Sequence, residues 1–347
     1  MFRRGDTGFC MRISFLCRLA LVVSFLLFLL AVPAVAQSSE DEVHITPRAE
    51  KTQQPAPTAT PENEDPGLSH APIHVNVDLV LIPVTVTDPM NRLVTGLETD
   101  NFIVTEAGMK QTIKYFSSED EPISLGLIFD ISGSMANKIL RSREAAVEFF
   151  KTSNPQDEFF VITFNDRPIL LEDFTRSVAD IQEKIAYAIP KGRTALFDAI
   201  YMGINKMEGA RNPRKALLII SDGGDNASRY TQNEIRSMVK EADVQIYSIG
   251  LFEQNAPTVE ERNGPALLED ISNFTGGRMF WINDPSELAD VATKISVELR
   301  NQYVLGYRPT NPVRDGKWRK VKVKLIPPKG LPSLNVHSRT GYYAPSQ

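Results

Sequence analysis

The stretch Leu125-Gly126-Leu127-Ile128-Phe129-Asp130-Ile131-Ser132-Gly133-Ser134-Met135 decides how the chain is read. An apolar run of this kind suits a strand buried on both faces, as in a parallel sheet covered by helices. The run stops at a carboxylate, a tight loop with two hydroxyls follows, and a helical pattern begins near Lys138. Asp130 therefore stands at the carboxyl end of a strand, where open α/β sheets bind their ligands. Similar strand patterns at Phe159–Phe164, Leu217–Ser221, Gln245–Gly250 and Arg278–Trp281 follow. They alternate with helical patterns at Lys138–Lys151, Val178–Ala188, Leu196–Met207, Asn233–Glu241, Pro265–Phe274 and Pro285–Arg300. Alternation of this sort predicts an α/β fold, a doubly wound and mostly parallel sheet.

Two further oxygen-bearing segments fall at matching places. Leu217-Leu218-Ile219-Ile220 runs into Ser221-Asp222-Gly223-Gly224-Asp225-Asn226, and Thr194 precedes a helix in Lys191-Gly192-Arg193-Thr194-Ala195-Leu196. Carboxylates and hydroxyls without nitrogen or sulfur suit a hard divalent cation, Mg²⁺ in particular, which takes about six oxygens and keeps some as water. Helix capping would explain one hydroxyl, but not five oxygen donors on three loops. Asp198 reads as a helix-surface carboxylate at least as readily as a residue behind the site. Asp225 and Asn226 extend the site or form an ordinary turn. Asn165 and Asp166 end the second strand on the same face and read as a turn. Arg193 is a candidate contact for an acidic ligand, or a plain exposed arginine.

In order and in strand-to-helix context, Asp130-x-Ser132-x-Ser134, Thr194 and Asp222 resemble the metal-ion-dependent adhesion site of von Willebrand factor type A (VWFA) domains. The resemblance spans about residues 122 to 300. It implies a Rossmann-like fold in which Ser132, Ser134 and Thr194 offer hydroxyl oxygens to the metal. Asp130 and Asp222 would bind it directly or through water, with Mn²⁺ or Ca²⁺ as alternatives to Mg²⁺. The last coordination position would fall to a Glu or Asp of a protein ligand. The flanking Val94-Thr95-Gly96-Leu97, Asn101-Phe102, Tyr303-Val304-Leu305-Gly306-Tyr307 and Arg339-Thr340-Gly341-Tyr342-Tyr343 are similar to bacterial VWFA-related proteins.

At the N-terminus, Arg3, Arg4, Arg12 and Arg18 precede an apolar run from Leu19 to Val32 and the small-residue step Ala34-Val35-Ala36. This is the layout of a secretory signal peptide over residues 1–36, cleaved after Ala36; uncleaved, the segment would anchor the chain in a membrane. Cys10 and Cys17, the two cysteines of the chain, both lie within it, so the remainder has neither disulfides nor thiolate ligands. Export without cysteines points to a bacterial envelope or secreted protein. Removing residues 1–36 takes away four arginines and one aspartate, moving the net charge from −5 to −8, which repels phosphate backbones and argues against nucleic acid. Residues 37–72 hold six prolines, seven acidic residues and no aromatic, the composition of a disordered linker.

The flanks of the α/β unit (residues 122–300) read as β. Before it, over residues 73–121, lie an alternating stretch around Pro83 and strands at Arg92–Leu97, Asn101–Glu106 and Lys110–Phe116, with a hairpin turn at Ala107-Gly108. After it, over residues 301–347, lie Gln302–Tyr307, Lys317–Leu325 and Leu334–Tyr342. Either set alone makes a marginal sheet, so the expectation is one small β-sandwich, built from both flanks, with the α/β domain inserted into it.

These features point to a non-enzymatic, metal-dependent protein-binding module acting outside the cytoplasm. The alternatives are an assembly subunit of an envelope complex and a metal-assisted hydrolase with Asp130 as nucleophile. Against the hydrolase, Ser132 replaces the second carboxylate of the haloacid dehalogenase pattern, and all four histidines (His44, His70, His74, His337) fall outside the α/β unit.

Overall fold

A computed structural model describes residues 79–252, 259–330 and 332–346. The signal-peptide and linker readings, residues 1–72, lie outside these described residues.

The central sheet contains six strands: β5 (Ile123–Asp130), β6 (Glu158–Phe164), β7 (Pro168–Thr175), β8 (Arg214–Ser221), β9 (Gln245–Gly250) and β10 (Met279–Trp281), in the order β10-β9-β8-β5-β6-β7. All neighbours run parallel except the edge strand β7, which pairs antiparallel with β6. Every residue of β5 is buried, as the apolar run predicts. Alternate side chains serve two cores. Leu125, Leu127 and Phe129 pack with α1 (Ile139–Lys151), α2 (Val178–Ala186) and α6 (Leu288–Arg300). Ile128 faces the other side with α3 (Leu196–Met207), α4 (Gln232–Glu241) and α5 (Val259–Thr275). The doubly wound α/β expectation holds, with β7 an addition that its mixed polar and apolar sequence concealed.

The flanks form two four-stranded sheets, each drawing strands from both ends of the chain. One has the order β13-β1-β11-β4, from β1 (Val80–Thr87), β4 (Ile113–Ser117), β11 (Tyr303–Tyr307) and β13 (Asn335–Ser338). The other has the order β14-β12-β2-β3, from β2 (Phe102–Glu106), β3 (Met109–Gln111), β12 (Trp318–Leu325) and β14 (Gly341–Tyr343). A shared core of Ile82, Val84, Val104, Leu305, Val321 and their neighbours joins the two faces, so the insertion into a β-sandwich is as expected. The chain leaves this sandwich from β4 and returns in β11, and these two strands are hydrogen-bonded neighbours.

Three flank strands differ from expectation. Lys110–Phe116 is broken between β3 and β4, which belong to different sheets, and Leu334–Tyr342 is likewise broken between β13 and β14. Each break is a corner where the chain crosses from one sheet to the other, which period-2 patterning cannot register because the apolar alternation continues. Arg92–Leu97 forms no strand beyond a bridge from Thr87 to Leu93. The Asp88 carboxylate accepts from the N–H groups of Met90 (2.8 Å) and Arg92 (2.9 Å), tightening the turn. The Tyr303 hydroxyl then takes the Leu97 N–H (3.0 Å) and donates to the Val94 carbonyl (3.1 Å), supplying what a partner strand would have given. Helix α5 also begins before Pro265 and contains it, at the expense of one backbone hydrogen bond.

Candidate functional site

β5 and β8 are adjacent in the sheet, while the chain after β5 proceeds to β6 on the other side, so the crevice lies beyond the carboxyl ends of these strands. The register Phe129↔Ile220 sets the next residues, Asp130 and Ser221, side by side. Asp130 is fully buried; Oδ1 accepts from the Ser132 N–H (2.8 Å) and Oδ2 from the Ser221 hydroxyl (2.6 Å). Ser221 Oγ in turn accepts from the Gly223 N–H (3.0 Å), tying the second loop to the first.

Burial pushes the Asp130 carboxyl up to about 7, and the negative charge of Asp222 adds to the rise; the bonds from Ser132 and Ser221 oppose it. Asp222 and Ser132 are also buried, and the Ser132 and Ser134 hydroxyl oxygens lie 3.0 Å apart. Ser134 is exposed and forms the open side of the cluster.

The third loop is held by its backbone. The Gly192 carbonyl accepts from the Gly133 N–H (3.1 Å), and the Lys191 N–H donates to the Ile131 carbonyl (2.9 Å). Gly192 sits at φ +80, a left-handed conformation that favours glycine, and a Cβ there would displace the Asp166 carboxylate, whose Oδ2 would lie 2.5 Å away. Thr194, buried, gives its N–H to Asn226 Oδ1 (2.9 Å) and its carbonyl to the N–H groups of Asn226 and Ala227. The three loops carrying Asp130, Ser132, Ser134, Thr194 and Asp222 are thus fastened to one another at one end of the sheet.

Asp225 accepts from the Phe197 N–H (3.0 Å) in the first turn of α3 and from the Ser228 hydroxyl (2.5 Å); burial raises its carboxyl. Asp198 is buried instead of lying on the helix surface, and its Oδ1 accepts from the N–H groups of Arg229 (2.9 Å) and Tyr230 (3.2 Å). Asp198 and Asp225 therefore bind loop to helix, while Asn226 binds loop to loop. Arg193 is engaged by Asp166, through both its backbone N–H (3.1 Å) and its guanidinium (3.3 Å), which hold the Asp166 carboxyl below its usual range. Sequence reasoning missed the role of Ser221; its signal was the match between Phe129-Asp130 and Ile220-Ser221 at the ends of two apolar runs.

Two carboxylates and three hydroxyls make an all-oxygen donor set, whose chemistry fits a hard divalent cation that retains water. Among the described residues no three His, Cys, Asp or Glu side chains gather as a metal cluster.

Residues 125–224, the segment from the middle of β5 past Asp222, match the von Willebrand factor type A domain family. This part of the chain is a von Willebrand factor type A domain. The chain is similar to an uncharacterized protein of Borreliella burgdorferi, 24% identical over 187 residues, covering 46% of this chain and 53% of that protein. It is also similar to the pig (Sus scrofa) inter-alpha-trypsin inhibitor heavy chain H4, 26% identical over 167 residues, covering 44% of this chain and 18% of that protein. The chain thus matches about half the length of the first relative and less than a fifth of the second. Among solved structures, a von Willebrand factor type A protein from Catenulispora acidiphila is 12% identical with a TM-score of 0.46, over 77% of this chain and 75% of that one.

Proposed function

We propose that this chain is an exported, non-enzymatic module that binds a protein ligand through a divalent cation held in the VWFA domain. Asp130, Ser132, Ser134, Thr194 and Asp222 would hold the ion, Mg²⁺ or, in its place, Mn²⁺ or Ca²⁺. When bound, the cation supplies positive charge to the two carboxylates and a Lewis-acidic position for a Glu or Asp of the ligand. The observation that carries this reading is the buried Asp130 carboxyl, driven upward by burial and by the facing charge of Asp222. A pair of buried carboxylates at the ends of neighbouring strands, with the Ser132 N–H and the Ser221 hydroxyl donating to Asp130, is an arrangement that a cation relieves.

The chain's own residues do the rest. Ser132 N–H and Ser221 Oγ fix the Asp130 oxygens, while Asn226 and Gly192 fix the loop that carries Thr194. Export rests on the N-terminal sequence, and with it the expectation that the partner is met in the envelope or outside the cell.

Isothermal calorimetry with Mg²⁺ tests the proposal: the full chain should bind one ion, and Asp130→Ala should abolish the heat. Equal binding by wild type and Asp130→Ala would overturn it.

A further inference from the structure

At the end of the central sheet opposite the candidate cation loops, a cavity of about 260 Å³ lies between the sheet and the sandwich. Ile123, Arg214 and Gln245, the first residues of β5, β8 and β9, line it from the sheet, and Leu81, Pro83 and Val304 of β1 and β11 line it from the sandwich. Val239 of α4 and Leu299 of α6 continue the aliphatic wall. Leu81 is 43% exposed, apolar surface that the fold leaves uncovered. Clefts between packed bodies are a common place for small molecules to bind. An apolar cavity of about 150 Å³ holds a benzene ring, and by that ratio this one has room for about ten non-hydrogen atoms.

The charged groups along the wall are unevenly matched. Arg339 pairs with Asp243 (2.7 Å), Lys240 lies over the Phe274 ring (4.7 Å from its centre), and the Glu121 carboxylate accepts from the Tyr115 hydroxyl (2.9 Å). Arg214, half-buried, differs from these. Its guanidinium donates to the Glu121 carbonyl (3.4 Å), the Gln302 side-chain oxygen (3.0 Å) and the Leu299 carbonyl, all neutral acceptors, and it makes no ion pair among the described residues. Three of the five N–H donors of a guanidinium are thereby used, which leaves two for a ligand. Burial lowers the Arg214 guanidinium below its ordinary range, while Glu121 and Asp120 oppose the shift through their charge alone.

We propose that this cavity binds a medium-chain fatty acid of about eight carbons, with its carboxylate on Arg214 and its chain against Leu81, Pro83, Val239 and Val304. A bare anion would leave the aliphatic wall uncovered, and a neutral chain would leave the Arg214 charge unmatched. One carboxylate on an apolar chain meets both needs. The site stands apart from Asp130 and does not depend on the cation reading.

Isothermal calorimetry of the full chain with sodium octanoate, in chelator, tests the proposal. Octanoate should bind at one molecule per chain, and octanol and acetate, which lack the charge and the chain respectively, each at least about tenfold more weakly. Arg214→Gln should weaken octanoate about tenfold and leave octanol unchanged. Leu81→Glu, at an exposed position, adds a repelling carboxylate to the wall and should weaken octanoate by a similar factor; it decides the question if Arg214→Gln does not fold. The proposal is overturned if octanoate gives no saturable heat, or if either folded variant binds it as tightly as wild type. Octanol binding as tightly as octanoate also overturns it, making the cavity a neutral apolar site, and acetate or inorganic phosphate binding as tightly does so by making Arg214 a bare anion site.

Discussion

Replacing Asp130 with Asn should stabilise the metal-free protein at alkaline pH and leave it nearly unchanged in acid. Burial and the charge of Asp222 hold the Asp130 carboxyl at about 7, against an ordinary value of 3.8. Each tenfold change in proton affinity corresponds to about 1.4 kcal/mol, so ionised Asp130 costs the folded state about 4 kcal/mol. Because the folded value lies above the unfolded one, this contribution is most favourable below pH 3.8, declines as pH rises, and is lost above about 7. Asn keeps an acceptor for the Ser132 N–H but carries no charge. In chelator, Asp130→Asn should therefore exceed wild type by up to about 4 kcal/mol near pH 8 and by little near pH 4. Saturating Mg²⁺ should narrow the gap near pH 8 to about 1 kcal/mol: an ion at about a hundred times its dissociation constant stabilises wild type by about 2.7 kcal/mol, and the variant by much less. Urea unfolding followed by circular dichroism, near pH 4 and near pH 8, with chelator and with Mg²⁺, gives all four numbers. If the variant is the weaker protein in chelator at both pH values, the buried carboxylate is not penalised as argued; if Mg²⁺ stabilises both proteins equally, the ion does not sit on Asp130.

His337 on β13 responds to pH in the opposite sense: burial, helped by Arg278, depresses it to about 4, so the folded state loses at most about 3 kcal/mol as pH falls from 6.5 to 4, and His337→Gln should flatten that part of a stability-against-pH curve. Comparing Asp130→Asn with wild type cancels this background. Gly192→Ala should cost about 1–2 kcal/mol from the left-handed backbone and displace the Asp166 carboxylate, seen as a lower urea midpoint together with weaker Mg²⁺ heats. Gln302→Ala should cost about 1–3 kcal/mol, because the Gln302 amide reaches Thr85, Gln245 and Tyr247 and accepts from the half-buried Arg214, joining sandwich to VWFA domain; a thermal melt unchanged by this substitution would remove the network as a tie at that junction.

The sequence by itself determined the α/β layer and the place of the oxygen-bearing loops at its strand ends. Fully buried parallel strands must be continuous apolar runs, and strand-end carboxylates and hydroxyls stand out against them. Asp130, Ser132, Ser134, Thr194 and Asp222 were legible for that reason. What the linear pattern does not contain is the partner of each backbone and side-chain group. The role of Ser221, the burial of Asp198 and the capture of Arg193 by Asp166 all depend on which residue a distant loop brings near. The sheet crossings after β3 and β13 were hidden similarly, because alternation reports which face of a strand is apolar but not which of two sheets it joins. Only the tertiary structure decided these, since hydrogen-bond partners and sheet membership are set by contacts between residues far apart in the chain, which local pattern cannot encode.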